Sequence, residues 1–280
     1  MRRRAPSRTR VAVVGHHATA PLVVAAGLLD WEVTSTAGPT AEEVAGATGA
    51  TIRSIEEAVD DPRAEIVVVG TPEDRRLDDA RRLGLAGSAV VVVPGRVDAD
   101  RIDWTPASPL VVGDALLHAP VVRRWLGHLG RCVGRGDVVR HLSLAWSPPA
   151  PDDGSLSSSV AGIAVVARRM AGRQHVGGPD VVRRRDRGLA TVELQFATDT
   201  AVARAEVFPT PVLELDGDPI EIGGTDHPAV AFGAVEVLRG FADDVAAGRA
   251  PVLGLDHLVA VERERRSWPD RERDGDVSGS

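Results

Sequence analysis

Apolar residues in the first 115 positions arrive in short unbroken runs. "RVAVVG" (10–15), "AEIVVVGTP" (64–72) and "SAVVVVPG" (88–95) are too short for helices and stop at Gly or Pro, so each predicts a strand buried on both faces. "WEVTSTAG" (31–38) predicts another strand. Between them the apolar positions take helical spacing, in "TAPLVVAAGLLD" (19–30), "TAEEVAGATGA" (40–50), "SIEEAVDDP" (54–62) and "EDRRLDDARRLGLAG" (73–87). Thr40 followed by Glu42 and Glu43 is N-terminal helix chemistry, Ser54 reads as a cap, and Gly87 as a helix stop. Strands alternating with helices at this spacing predict βαβ units and a parallel sheet.

The pattern changes after about Pro109. "LVVGDALLHAPVVRRWLGHLG" (110–130) reads as a strand end followed by a helix, and "DVVRHLSLAWSPP" (137–149) as a longer, more alternating strand. "GSLSSSVAGIAVVARRMAG" (154–172) predicts a helix with small residues on one side. Four strand signals follow in series: "LATVELQFA" (189–197), "TAVARAEVFP" (200–209), "PVLELDG" (211–217) and "PIEIGG" (219–224). The "TDT" between Ala197 and Ala201 reads as a hairpin turn. Helices at 227–248 and 255–268 close the second domain. The expected fold is α/β: an N-terminal Rossmann-like doubly wound parallel sheet over 10–115, and a C-terminal α+β domain with a mostly antiparallel sheet over 116–266. Residues 1–9 are expected to form a disordered leader and 267–280 a disordered tail.

Composition narrows the chemistry. A formal charge of −7 argues against a nucleic-acid partner, and no apolar run is long enough to span a membrane. The basic start "MRRRAPSRTR" admits a signal peptide, but "GHHATAP" interrupts the apolar stretch behind it, so the leader reading is preferred. Cys132 is the single cysteine, which excludes an intrachain disulfide and a cysteine-rich metal cluster, and the cytoplasm is the default expectation. The chain has no Tyr, no Asn and no Lys; all 33 basic residues are Arg. GC-rich coding accounts for such a bias. Whatever its origin, lysine acid–base or Schiff-base chemistry is impossible here, because Arg stays protonated.

A strand, Gly15 and a helix form the place where a Rossmann domain puts its phosphate loop. Of three fingerprint glycines, Gly15 fills the first place, His17 the second and Ala20, an accepted replacement, the third. The end of the second strand should carry a carboxylate for a ribose or an Arg for a 2′-phosphate; it offers Thr36, Ala37 and Gly38. The loop alone fits a doubly wound fold without a dinucleotide equally well.

Order and spacing over most of residues 10–266 resemble the Gfo/Idh/MocA family of NAD(P)-dependent oxidoreductases, which act mostly on sugars and cyclitols. "VVVGTPEDRR" is similar to the family strand ending in Thr-Pro with a His four residues on: Thr71 and Pro72 match, and Arg76 replaces the His. "GLAGSAVVVVPG" is similar to the stretch ending in Glu-Lys-Pro: Ala86 and Gly87 match, and Val93-Pro94-Gly95 replaces the triplet. In "GSLSSSVAGIAVVARRMAG", Gly154, Leu156, Arg168 and Gly172 fall in step, with Ser158 at the family's Asp and Gly162 at its His. The last two helices and the turn between them are also similar. "RVDADRIDWTPASP" (96–109) occupies the space of a full family helix. The resemblance implies NAD(P) as cofactor, with Gly15, His16, His17, Ala20, Thr71 and Pro72 as binding candidates. It also implies that the Lys and His handling the substrate proton are missing. Such proton transfer contributes about 10²–10⁴-fold to rate.

Other candidates carry weaker chemistry. His16 and His17, at a helix N-terminus, either bind phosphate or fill a loop. Asp114 and His118, at i and i+4, share one helix face as an acid–base pair, half a metal site, or a solvated face with a cap. His141 reads as a strand residue, and Asp226-His227 and Asp256-His257 as helix N-terminal positions. No metal-binding spacing occurs, so no metal is expected. The Arg runs at 123–124, 168–169, 183–185 and 263–266 read as solvated or partner-facing surfaces, and "SLSSS" (155–159) has no nucleophile context. Two readings remain. In the first, the chain is a non-catalytic structural or regulatory subunit in a homo-oligomer or beside an active paralogue. In the second, it is a diverged NAD(P)-dependent oxidoreductase, or a non-redox enzyme, acting on a sugar or other small polar metabolite.

Overall fold

The computed structural model describes residues 8–267 except 16–18, 61–62, 72, 135–140, 147–154, 172–179, 187–188, 198–201, 207–211, 216–217 and 221–228. The expected leader at 1–9 and tail at 267–280 lie almost wholly outside the described residues. The chain forms two units, one of residues 1–115 with 230–259 and the other of 116–229 with 260–280.

The first unit begins with β1 (Arg10–Gly15), α1 (Ala20–Leu28), β2 (Glu32–Ala37), α2 (Ala41–Thr48), β3 (Thr51–Ile52) and α3 (Ile55–Val59). It continues with β4 (Ile66–Gly70), α4 (Glu73–Ala86), β5 (Ala89–Val92) and β6 (Leu110–Val112). The strands pair in parallel in the order β3-β2-β1-β4-β5-β6, the doubly wound arrangement the alternation predicts. Between β5 and β6 the only helical turn is a 3₁₀ turn at Ala99–Arg101, so the expected full helix is indeed replaced.

Alternate side chains of the valine runs feed two cores. Val11, Val13, Ile66, Val68, Val91 and Val111 pack on one face; Ala12, Val14, Val67, Val69, Val90 and Val92 pack on the other. Each fully buried valine contributes about 1.5–3 kcal/mol over an exposed one. α4 covers the second face with Leu77, Ala80 and Leu83.

The first unit runs to Ala115 and takes in residues 230–259, so the last helices are shared between the two units. α7 (Ala229–Ala247) sends Ala234, Val235, Val237, Leu238 and Phe241 into the first core, beside Leu22 and Val91. α8 (Leu255–Arg266) adds Leu258 to the opposite face. The face is covered jointly, by Leu22, Ala25 and Ala26 of α1, Val44 of α2 and these α7 residues.

The second unit holds α5 (Pro120–Gly134), β7 (His141–Trp146), α6 (Ser155–Ala171), β8 (Asp180–Asp186), β9 (Leu189–Ala197), β10 (Val202–Glu206), β11 (Val212–Leu215) and β12 (Asp218–Ile220). The sheet order is β12-β11-β10-β7-β9-β8. All pairs are antiparallel except β10 with β7. The expected hairpin turn at 198–200 lies outside the described residues; the two strands beside it, β9 and β10, flank β7 on opposite sides. His141 lies opposite Ala197 on one side and Val202 on the other. On α6 and α8, Ala161, Val165 and Val261 form a small core, and Arg168 donates to Glu264 at 3.0 Å.

Candidate functional site

Ligands of open α/β sheets bind at the carboxyl ends of the strands, near the point where strand order reverses. In this sheet that edge runs along the ends of β2, β1, β4, β5 and β6.

Glycines sit at or just past the ends of β1, β2 and β4. Gly15 lies opposite Gly70 of β4, and a Cβ on Gly15 would stand 2.8 Å from the Gly70 carbonyl carbon. Gly38, just past β2, has φ +98, and a Cβ there would stand 2.6 Å from the Gly15 oxygen. Both positions therefore require glycine for contact, and Gly38 for its positive φ as well. Thr40, expected to cap α2, makes no side-chain cap; its hydroxyl donates instead to the Gly15 oxygen at 3.2 Å. Ala20 is the exposed first residue of α1, and Thr71 is fully buried beyond β4. Gly15 and Thr71 thus share one sheet edge. His16, His17 and Pro72 lie outside the described residues.

No carboxylate stands at the end of β2. The backbone N–H of Arg53 donates to the Thr36 oxygen at 2.9 Å, which continues the β2–β3 register by one residue and sets Arg53 beside Ala37. The Nε of Arg53 is buried without a hydrogen-bond partner among the described residues. Sequence reading missed this residue, because its neighbour across the sheet is sixteen positions earlier; the signal was an arginine closing the "TI" edge strand.

The β4 and β5 ends are filled by one side chain. Arg76 on α4 is 3% exposed; its Nε donates to the Thr71 oxygen at 3.0 Å and its Nη1 to the Pro94 oxygen at 3.2 Å. A Cβ on Gly95 would stand 1.4 Å from that Nη1. Burying an always-charged guanidinium demands such hydrogen bonds. Arg76 and Gly95, two separate departures from the family pattern in the sequence, are one spatial exchange. Glycine at 95 makes the room that the arginine occupies. One turn along α4, Asp79 is 6% exposed, and burial raises its pKa above the usual carboxylate value. The Thr71 hydroxyl, near it but outside strict hydrogen-bond geometry, and Arg75 at 3.7 Å pull the other way.

At β6 the expected shared helix face for Asp114 and His118 is not found. Residues 115–118 are turns, and α5 starts at Pro120, whose missing N–H suits a helix start. Asp114 is 1% exposed in the first unit, whereas His118 is half-buried in the second. On α6, Ser158 and Gly162 are both buried. His141 is a strand residue, as expected; Asp256 and His257 occupy the first turn of α8, and Asp226-His227 lies outside the described residues. The described Arg side chains of these runs divide: some are exposed, others are part-buried in ion pairs, such as Arg168 with Glu264. Arg123 and Arg124 are exposed, and Arg265 and Arg266 both bind Glu262. Among the described residues no cluster of three His, Cys, Asp or Glu is placed to hold a metal, and no helix is long and apolar enough to cross a membrane.

No family model matches the chain, and no curated protein matches it significantly. Solved structures do. GenD2 from gentamicin A biosynthesis, in complex with NAD, superposes with a TM-score of 0.66 at 17% identity, over 94% of this chain and 93% of that one. KijD10, a 3-ketoreductase from Actinomadura kijaniata in complex with TDP-benzene and NADP, gives 0.62 at 17%, over 94% and 97%. A myo-inositol dehydrogenase from Corynebacterium glutamicum gives 0.62 at 14%, over 93% and 95%. At these identities the likeness concerns architecture, and the chain has the fold of the Gfo/Idh/MocA-type oxidoreductases that its sequence resembles.

Proposed function

We propose that this chain is a non-catalytic member of that fold group, which keeps a dinucleotide seat and serves as a structural or regulatory subunit in a homo-oligomer or beside an active paralogue. The observation that carries the reading is Arg76. A guanidinium tied to the Thr71 and Pro94 carbonyls and seated on Gly95 cannot accept or release a proton near neutral pH, and it holds the ground where the resemblance puts proton-handling groups. With no lysine anywhere in the chain, no other residue supplies the family's acid.

The seat itself fits at its adenosine end. Gly15 and Gly38 keep the strand edge flush, and Arg53 has a buried Nε donor with no partner among the described residues. A bound nicotinamide dinucleotide supplies hydride transfer in the neighbours' chemistry; in this chain the residues around β1 and β2 bind and orient, and those around β4 and β5 brace the strands. The test is turnover of sugar and cyclitol substrates by purified protein with NAD(H) and NADP(H). No reaction above background is expected, and enzyme-like rates overturn the reading.

Asp114 favours a second reading, a diverged NAD(P)-dependent oxidoreductase or a non-redox enzyme on a sugar or other small polar metabolite. A carboxylate 1% exposed at the carboxyl edge is a candidate acid–base group. If turnover is found and Asp114→Asn abolishes it in a protein that still folds, this reading replaces the first.

A further inference from the structure

We infer that the outer face of α1 is a twofold contact, on which a second copy of this chain packs its own α1 in antiparallel alignment. The inference rests on the homo-oligomer in the reading above and names a surface for it. From Ala20 to Leu28 the helix reads APLVVAAGL, without a charged or hydrogen-bonding side chain. Leu22, Val23, Ala25 and Ala26 are spent on the first core. Ala20, Val24, Gly27 and Leu28 face outward, with Val24 53% and Leu28 54% exposed. Their spacing of i, i+4, i+7 and i+8 draws one continuous stripe along the helix. A helix that is apolar all round belongs in a buried position. In the same unit α2, α3, α4 and α7 all turn charge outward, with Glu42 and Glu43, Glu56 and Glu57, Arg75 and Asp78, and Arg239 and Asp243.

The stripe carries both halves of its own complement, as a contact between identical surfaces requires. A twofold axis through Val24 sets that side chain against its copy. Antiparallel alignment then sets Leu28 against Ala20 and Gly27 against Pro21. The large side chain meets the small one. At Gly27 an added Cβ would meet nothing within 4 Å, which leaves room for the partner helix to approach. Charge permits the same pairing. No charge on the stripe meets its own image, and just beyond its C-terminal end Asp30 and Arg8 form an ion pair with each other at 2.9 Å. A membrane surface suits the stripe less well, because interfacial helices carry Lys or Arg on their polar face. α1 has neither, and the formal charge of the chain is −7. Length sets the strength of the contact. Nine residues make about 14 Å of helix. That footprint fits a helix of equal length and falls below the roughly 800 Å² per partner of a stable complex. Self-association through it is therefore weak.

The test is sedimentation equilibrium of the full chain from about 10 µM to 1 mM, the range of a weak contact. The mass should rise above that of a single chain as concentration increases. Val24→Arg and Val24→Glu each set like charges on the axis and should weaken association by about tenfold or more. Because Val24 is exposed, both variants should keep the urea midpoint of the unmodified chain. Mixed in equal amounts, the two variants set opposite charges on the axis and should associate again, an outcome specific to residue 24 meeting its own copy. Leu28→Ser adds no charge and should weaken association by about threefold or more. It keeps the test decisive if a charged variant fails to fold. Association that neither the Val24 variants nor Leu28→Ser weaken, or that mixing does not restore, overturns the inference and leaves the homo-oligomer standing on another surface. A single-chain mass at every concentration overturns the inference and the homo-oligomer together.

Discussion

Where β1 and β2 end, glycines bring backbone against backbone; where β4 and β5 end, a single long cation fills the ground. The first half of the edge is held by Gly15, Gly38 and Gly70 in backbone contact, and its arginine keeps a buried donor unused. The second half is held by Arg76, two of whose donors go to strand-end carbonyls. The difference separates two tasks that are usually merged in a dehydrogenase cleft. A surface shaped to receive something leaves backbone bare and donors unspent. A surface shaped to hold itself together spends its donors internally. The same sheet does both, about two strands apart.

The sharpest way to break the first half is Gly15→Ala. Its Cβ meets Gly70 backbone, which cannot retract without disturbing the β1–β4 pairing, so a loss of about 3 kcal/mol or more in urea unfolding is expected. A loss under 1 kcal/mol means the contact is looser than it looks. Arg76→Ala tests the second half. It removes two charge-assisted bonds to buried carbonyls, and about 2–3 kcal/mol of stability should go while nucleotide affinity stays the same. A change in affinity larger than in stability would blur the division between the halves. Ser54→Ala removes the capping box at the start of α3, and a loss of about 1 kcal/mol in urea unfolding is expected.

The smallest effect concerns Asp79. Because burial raises its folded-state pKa, the folded protein holds that proton more tightly than the unfolded chain does. Stability should therefore fall as pH rises from the ordinary value near 3.8 through the raised one, then level off. Asp79→Asn should flatten that fall in acid denaturation curves. An unchanged slope would show that Thr71 and Arg75 offset the burial cost in full.

Much of the first unit was legible because its physics is local. A valine run stopped by Gly or Pro has few folds available, and β1, β4 and β5 follow from it directly. The capping box at Ser54 and the positive-φ stop at Gly87 are also local signals, and both are present. What was not legible depended on distance along the chain. β8 carries Arg183, Arg184 and Arg185 at a sheet edge, where charge is tolerated and the alternating apolar signal fades. That β7 lies between β9 and β10 depends on pairing across the chain, which no local turn signal encodes. The candidate site divides in the same way. Gly15 and Thr71 announce themselves by motif, whereas Arg76 acquires its meaning only against Gly95, and Arg53 only against the end of β2.

The return of α7 to the first unit has a consequence for how the protein is made. During synthesis the parallel sheet can be threaded by residue 115, with Leu22, Ala25 and Val44 already on the face formed by Val13, Val68, Val91 and Val111, yet that face lacks the rest of its cover until the ribosome has delivered Leu238 and Phe241. The nascent chain must carry that partly open apolar face while residues 116–229 emerge. A polypeptide truncated at Ala115 should leave part of that face exposed, so a piece for expression should reach past Phe241.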